Sequence, residues 1–177
     1  MATSAEILQG LSVDPAAPGE MPVIANLVQL YVYDFEPFID GRVEGEILPN
    51  GRYPEERHLA AYWREEGRFP YLLRVHGVVA GFALVNRHFK LPAPCDWSIG
   101  EFFVHRRFRK LGVGRVVAHR LFTRHPGLWE VAVMRSNLPA KAFWPKAVAG
   151  CPGVVRIAVQ DGGASWNGPV MRFEVRL

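Results

Sequence analysis

Arg109-Lys110-Leu111-Gly112-Val113-Gly114 follows the apolar run Trp97 to Val104 and precedes Arg115-Val116-Val117-Ala118-His119-Arg120-Leu121-Phe122. A strand, a glycine turn and a helix start therefore succeed one another directly, and this local order decides the fold. Glycines at 112 and 114 remove the Cβ atoms that would keep a ligand off the backbone. The first N–H groups of the new helix lack intrahelical partners and carry the positive end of the helix dipole. The turn is thus suited to an anionic phosphate, and a pyrophosphate fits it.

Outward from this turn the chain alternates strand and helix signals. Ile7 to Val13 predicts a first strand, and Met21 to Tyr33 sets Ile24, Leu27, Val28 and Tyr31 at helical spacing. Pro54 to Glu66 predicts a second helix, with Pro54 in its first turn and Gly67 at its end. Tyr71 to His76 and Val78 to Arg87 predict a hairpin closed at His76-Gly77. The strand Trp97 to Val104 leads through the glycine turn into a helix from about Gly112 to Arg124, which Pro126-Gly127 ends. Trp129 to Met134 reads as a short buried strand, and Asn137 caps a helix that continues through Pro139, Ala140, Phe143, Trp144 and Ala147. Val154 to Val159 and Val170 to Val175 predict two closing strands around the loop Asp161 to Pro169. The order β-α-α-β-β-β-α-β-α-β-β describes an α/β (α+β) fold with a mixed, partly antiparallel central sheet flanked by helices.

No repeat and no composition shift divides the chain, so residues 1–177 are expected to form a single domain. A hydrophobic content of 49% with 21% charged residues excludes a disordered chain. Met1 to Gly10 has no basic start followed by an apolar run, and no apolar stretch reaches membrane-spanning length, so neither a signal peptide nor a membrane is expected. Cys95 and Cys151 lie far apart and outside any Cys-x-x-Cys pair, which gives metal binding no support and favours a reduced, cytoplasmic setting. The net charge of +4 is local: seven Arg or Lys side chains and no acid lie between His105 and Arg124, whereas Asp34, Glu36, Asp40, Glu44 and Glu46 have only Arg42 among them.

Four features coincide in order: the strand bearing Glu101, Arg109-x-x-Gly112-x-Gly114 opening a helix, a short strand ending near Met134, and Asn137-x-x-Ala140-x-x-Phe143-Trp144-x-Lys146. Together they resemble the GNAT superfamily of acyl-CoA-dependent N-acyltransferases, best over residues 70–148; the glycine motif alone would be weak. The resemblance implies acetyl-CoA, or another acyl-CoA, as co-substrate and no metal. Its pyrophosphate would lie on Arg109, Lys110, Leu111, Gly112, Val113, Gly114 and Arg115. Its pantetheine arm would run beside Phe102, Phe103 and Val104, on a strand splayed from its neighbour, with Asn137, Phe143 and Trp144 also at the cofactor. A splayed strand has free backbone groups that can pair with the amides of pantetheine as an added strand would.

Acyl transfer to an amine needs an unprotonated nucleophile and a stabilised leaving thiolate. Glu101 is the only acid between Trp97 and Val104; the resemblance makes it the general base, and the alternative is a carboxylate that only orients the acceptor. Relatives commonly carry a tyrosine acid where this chain has Trp144, and an indole N–H is not an acid near neutral pH. Either the thiolate leaves without a side-chain acid, or His105 or a tyrosine supplies the proton, or the domain binds acyl-CoA as a sensor without efficient turnover. The resemblance places the acceptor site at the aromatic and acidic segment holding Tyr31, Tyr33, Asp34, Phe35 and Glu36, which suits a cationic amine of a small molecule or peptide. For single residues the plainer roles compete: Trp144, Tyr31 and Phe35 in the core, Asp34 on the surface, Asn137 as a cap. The basic segment carries no recognised nucleic-acid motif, and Arg-x-x-Gly-x-Gly is not the Gly-x-Gly-x-x-Gly of a dinucleotide fold, so no nucleic-acid partner is expected. By analogy alone, the C-terminal strands would serve a homodimer.

Overall fold

The hairpin at His76-Gly77 builds one half of the sheet. In the computed structural model, which describes residues 3–39, 47–54, 58–92 and 94–176, β2 (Phe69–Val75) and β3 (Val78–Asn86) pair antiparallel around it. His76 and Gly77 both have positive φ, 49° and 77°, as a two-residue type I′ turn requires. The other strands are β1 (Leu11–Pro15), β4 (Trp97–Val104), β5 (Gly127–Ala132), β6 (Val154–Asp161) and β7 (Pro169–Val175). The sheet runs β1-β2-β3-β4-β5-β7-β6. The β4–β5 pair is parallel and every other pair is antiparallel.

Strand alternation sends side chains into two cores, one on each face. Leu73, Val75, Ala83 and Val85 join Val113, Val117, Leu121, Phe122, Trp129 and Trp144 beneath the helices α3 (Val113–Arg124) and α4 (Leu138–Ala149). Leu72, Phe82, Leu84 and Phe103 face Ile24 and Val28 of α2 (Met21–Phe35) together with Leu59 and Tyr62. Each fully buried aliphatic or aromatic side chain contributes roughly 1.5–3 kcal/mol by its removal from water. Glu130 of β5 is fully buried but fully used: it accepts from Arg172 Nε at 3.0 Å and from the Lys90 and Leu91 N–H groups at 2.5 and 3.4 Å. This carboxylate pins the β3–β4 connection to β5 and β7.

Two expected elements differ. The strand expected at Ile7 to Val13 is a helix, α1 (Ser4–Gln9), followed by the shorter β1. Thr3 and Glu6 form a capping box, with Thr3 N donating to Glu6 Oε2 at 2.7 Å and Glu6 N to Thr3 Oγ1 at 3.3 Å; it starts a helix that apolar content alone does not reveal. The helix expected at Pro54 to Glu66 is, among its described residues, a 3₁₀ helix at Leu59–Trp63. Leu59 and Tyr62 stand three apart and are both buried, the period of a 3₁₀ turn. Trp63 Nε1 donates to Ala16 O at 2.8 Å and anchors it. Residues 55–57 of the expected helix, and Asp40, Glu44 and Glu46 of the acidic segment, lie outside the described residues.

Candidate active site

β4 holds β5 only at its start. The parallel ladder joins Trp97 to Trp129 and Ser98 to Glu130 and ends there, so from Ile99 to Val104 the two strands diverge. On its other edge β4 stays paired with β3 as far as Gly81 and Val104, with one register break between Leu84 and Val85 that leaves Gly100 as the extra residue of a bulge. A bulge sharpens local twist, which turns the end of β4 away from β5. His105 N donates to Ala80 O at 2.8 Å, so by antiparallel alternation the Phe102 and Val104 peptides point away from β3, into the gap. Arg109 Nε occupies the Val104 carbonyl at 2.6 Å.

The gap leads to the glycine turn. A single 3₁₀ turn at Arg106–Phe108 is capped by His105, whose Nδ1 accepts from Arg107 N at 3.4 Å. Lys110 and Gly112 then take positive φ of 61° and 84°, and α3 begins at Val113 with no side chain capping its N-terminus. The bond from Val116 N to Gly112 O, at 3.1 Å, is the first of the helix, so the Val113, Gly114 and Arg115 N–H groups precede any helical acceptor. Lys110 and Arg115 are exposed beside them. Gly114 serves packing: a Cβ there would lie 3.3 Å from the Phe143 ring and 3.8 Å from that of Phe102.

Phe102 and Phe143 line the helical side of this region, their half-buried rings stacked at 6.0 Å. Trp144 is only 6% exposed and packs edge-on against Phe102 at 5.0 Å and Phe143 at 4.9 Å, within the core under α3 and α4. Asn137 caps α4, its Oδ1 accepting from Ala140 N at 3.0 Å. Both residues thus have complete structural roles.

Glu101 is half-buried and sits in register with Leu84, directly after the Gly100 bulge. The five expected acceptor residues lie at the end of α2 and directly after it, and their side chains take different partners. Asp34 gives both oxygens to arginines of the glycine turn region, Oδ1 to Arg106 and Oδ2 to Arg109. Burial alone would raise its pKa, but the bonds from Arg109 and Arg106 outweigh it and hold the carboxyl below its ordinary value. Glu36 accepts from Tyr53 Oη at 2.8 Å, and burial together with Glu36 pushes the Tyr53 hydroxyl up to about 12. Both carboxylates are therefore committed to partners within the chain. Tyr31 packs at 5.3 Å from Phe35, 5.9 Å from Phe82 and 6.2 Å from Phe103, while the exposed Tyr33 ring lies 5.9 Å from the Arg106 guanidinium. A cavity of about 200 Å³ lined by Met21, Ala25, Val28, Gln29, Arg52, Leu59 and Ala60 includes none of the five.

The sequence profile described as the acetyltransferase (GNAT) family matches residues 31–149. The chain belongs to the GNAT acetyltransferase family. An acetyltransferase from Thermus thermophilus shares 16% identity, with 92% of this chain and 94% of that one covered and a TM-score of 0.63. A GCN5-related N-acetyltransferase from Kribbella flavida also shares 16%, over 96% and 99% of the two chains, at a TM-score of 0.59. An aminoglycoside acetyltransferase from an uncultured soil metagenomic sample shares 13%, over 80% and 89%, at 0.56. No curated protein sequence matches the chain.

Membership in the GNAT family carries transferase activity with acetyl-CoA. The diverging strands and the uncapped, glycine-opened turn fit a long amide-bearing arm that ends in a diphosphate. Among the described residues no three His, Cys, Asp or Glu side chains gather to hold a metal ion, and no helix is long and apolar enough to cross a membrane. Sequence reasoning gave no role to three polar side chains beside this region. Arg106 shares Asp34 with Arg109, and Tyr62 and Asn86 lie against the Gly100 bulge. Asn86 closes a strand that reads as apolar, and Tyr62 lies in a segment read as an amphipathic helix, so neither carries a local signal.

Proposed function

We propose that this chain transfers an acetyl group from acetyl-CoA to a primary amine of a small molecule or peptide, with Glu101 as general base. The observation that carries the reading is the divergence of β4 from β5 directly beside the uncapped turn at Gly112. The Val113, Gly114 and Arg115 N–H groups and the Lys110 and Arg115 side chains face the diphosphate, where donors and helix dipole both favour negative charge. The Phe102 peptide pairs with a pantetheine amide as a neighbouring strand would. Arg109 acts indirectly, by holding the Val104 carbonyl and Asp34. Acetyl-CoA supplies the activated thioester when bound. Glu101 accepts a proton from the acceptor ammonium, directly or through water, so that a neutral amine attacks. The thiolate departs without an acid at position 144, because an indole cannot protonate it. Tyr31, Tyr33 and Phe35 flank the acceptor side as aromatic surfaces rather than as part of an acidic clamp.

Thiol release is measured with saturating acetyl-CoA across a panel of amines. Amine-dependent release in the wild type, with kcat lowered about 10²-fold or more by Glu101→Gln and the acetyl-CoA Kd unchanged, is the expected result. An unchanged kcat removes Glu101 from the mechanism. Tight acetyl-CoA binding with no thiol release for any amine makes the chain an acyl-CoA sensor.

A further inference from the structure

Beneath the Gly100 bulge lie two buried polar side chains whose hydrogen-bond directions can be assigned. Asn86 Oδ1 accepts from His88 N at 2.9 Å, which fixes the amide so that its Nδ2 is the group facing Tyr62 Oη, 2.6 Å away. Asn86 therefore donates and the Tyr62 oxygen accepts. The Arg68 guanidinium lies over the same ring, its carbon 5.2 Å from the ring centre. With Asn86 donating to its oxygen, the hydroxyl directs its own proton away from that amide. The direction left is the bulge. A Cβ on Gly100 would fall 2.7 Å from Tyr62 Oη and 2.5 Å from Asn86 Nδ2, so only glycine lets the strand lie this close over the pair.

The groups facing the hydroxyl come from three elements: Arg68 ahead of β2, Asn86 at the end of β3, and Glu101 in β4. Glu101 is the anion among them, and it is the residue that follows the bulge. Burial first, and then the Glu101 charge, raises the Tyr62 pKa, which keeps the phenol protonated and a donor. Tyr62 and Asn86 are 7% and 6% exposed amid Leu59, Phe82 and Leu84. Two apolar residues would fill the same place without hydrogen bonds to satisfy, since a buried polar group left unpaired costs about 1–3 kcal/mol.

We infer that Tyr62 is a positioning residue of the acetyl-transfer site: oriented by Asn86, its hydroxyl is aimed across the Gly100 bulge as a hydrogen-bond donor for the Glu101 carboxylate. The bond fixes the carboxylate's direction and favours its ionised form, so that Glu101 carries no proton of its own when the acceptor arrives. This rests on the assignment of Glu101 as general base.

The test titrates the Glu101 carboxyl by carbon-13 NMR in protein labelled at glutamate side chains, its signal identified by its loss in Glu101→Gln. Tyr62→Phe keeps the ring and removes the donor to the charged form, so the Glu101 titration moves upward by about half to one pH unit, the equivalent of one hydrogen bond. The acid limb of kcat/KM moves with it, while KM for acetyl-CoA stays constant. Gly100→Ala drives a methyl group against the hydroxyl and shifts the titration the same way, giving a second route if Tyr62→Phe does not fold. A Glu101 titration unmoved in the folded variants overturns the inference and leaves the general base untouched. A Glu101→Gln variant with wild-type turnover removes the general base, and with it the catalytic meaning of the bond, whatever the titration shows.

Discussion

Asp34 and Arg109 form an ion pair that ties the last turn of α2 to the residue that opens the glycine turn. Arg106 completes it from the other oxygen of Asp34, with Nε at 2.9 Å. Arg109 also holds the Val104 carbonyl at the end of β4. One carboxylate thus joins α2, the diverging strand and the glycine turn.

Asp34→Asn is expected to lower stability by about 1–2 kcal/mol at pH 7, since the Asp34 side chain is 15% exposed while its arginine partners remain partly in water. The pH dependence has a definite sign. The folded carboxyl titrates below its unfolded value of about 3.9, so its stabilisation is complete above that value and is lost as pH falls through the lower, folded one. Urea unfolding of wild type and variant should differ at pH 7 and converge once the pH falls below the lowered, folded pKa of Asp34.

Gly112→Ala places a Cβ on a residue with φ of 84°. The cost is backbone strain of about 1–2 kcal/mol, because the nearest side-chain atom, Leu8 Cδ1, would stand at an ordinary 3.4 Å. A fall in Tm of about 3–6 °C is expected, with acetyl-CoA bound several-fold more weakly by calorimetry. Gly163→Ala, at φ of 58° in the β6–β7 loop, should cost similar stability and leave acetyl-CoA affinity unchanged.

Trp144→Phe should lower stability by about 1–2 kcal/mol, as expected where a buried aromatic is replaced by a smaller one. Acetyl-CoA Kd should change less than twofold, because the indole belongs to the core. Trp144→Tyr should not raise turnover. An increase in kcat would show that position 144 reaches the leaving thiolate.

His125 gives the fold a second pH dependence. It is 7% exposed, 2.6 Å from Tyr71 Oη and enclosed by Phe69, Trp97 and Trp129, and burial first, with Arg124 and Arg87 adding to it, lowers its pKa to about 4. The unfolded chain takes up the proton near 6.5, so between about pH 6.5 and 4 it binds more protons than the folded one and stability falls as pH falls. The loss is about 2 kcal/mol after allowing for partial solvent access. His125→Gln should flatten chemical-denaturation midpoints across that window.

The strands and the two long helices after Pro70 were legible because apolar period, glycine and capping residue agree there. Trp97 to Val104 and the helix capped by Asn137 fall within a residue or two of their expected bounds. What the chain concealed is tertiary. The Thr3–Glu6 capping box decides α1 over a strand by two side-chain bonds, and the Leu59–Trp63 turn takes its form from what Tyr62 and Trp63 pack against. At the candidate site, the conformation of the turn at Gly112 could be read because it resides in the backbone. The charge of Asp34 could be read too, but its partners, seventy-two and seventy-five residues away, could not. Tyr62 and Asn86 acquire meaning only once β3 and β4 lie side by side.

The strand order β5-β7-β6 has a consequence for biosynthesis. β7 is made after β5 and β6, yet it lies between them, so while the ribosome is still adding residues before Pro169, β5 and β6 both wait with an open edge. Such edges recruit other chains. A nascent or truncated form ending in the Gly162–Gly168 loop should therefore need a chaperone or assemble into oligomers, and insertion of β7 is the event that covers both edges.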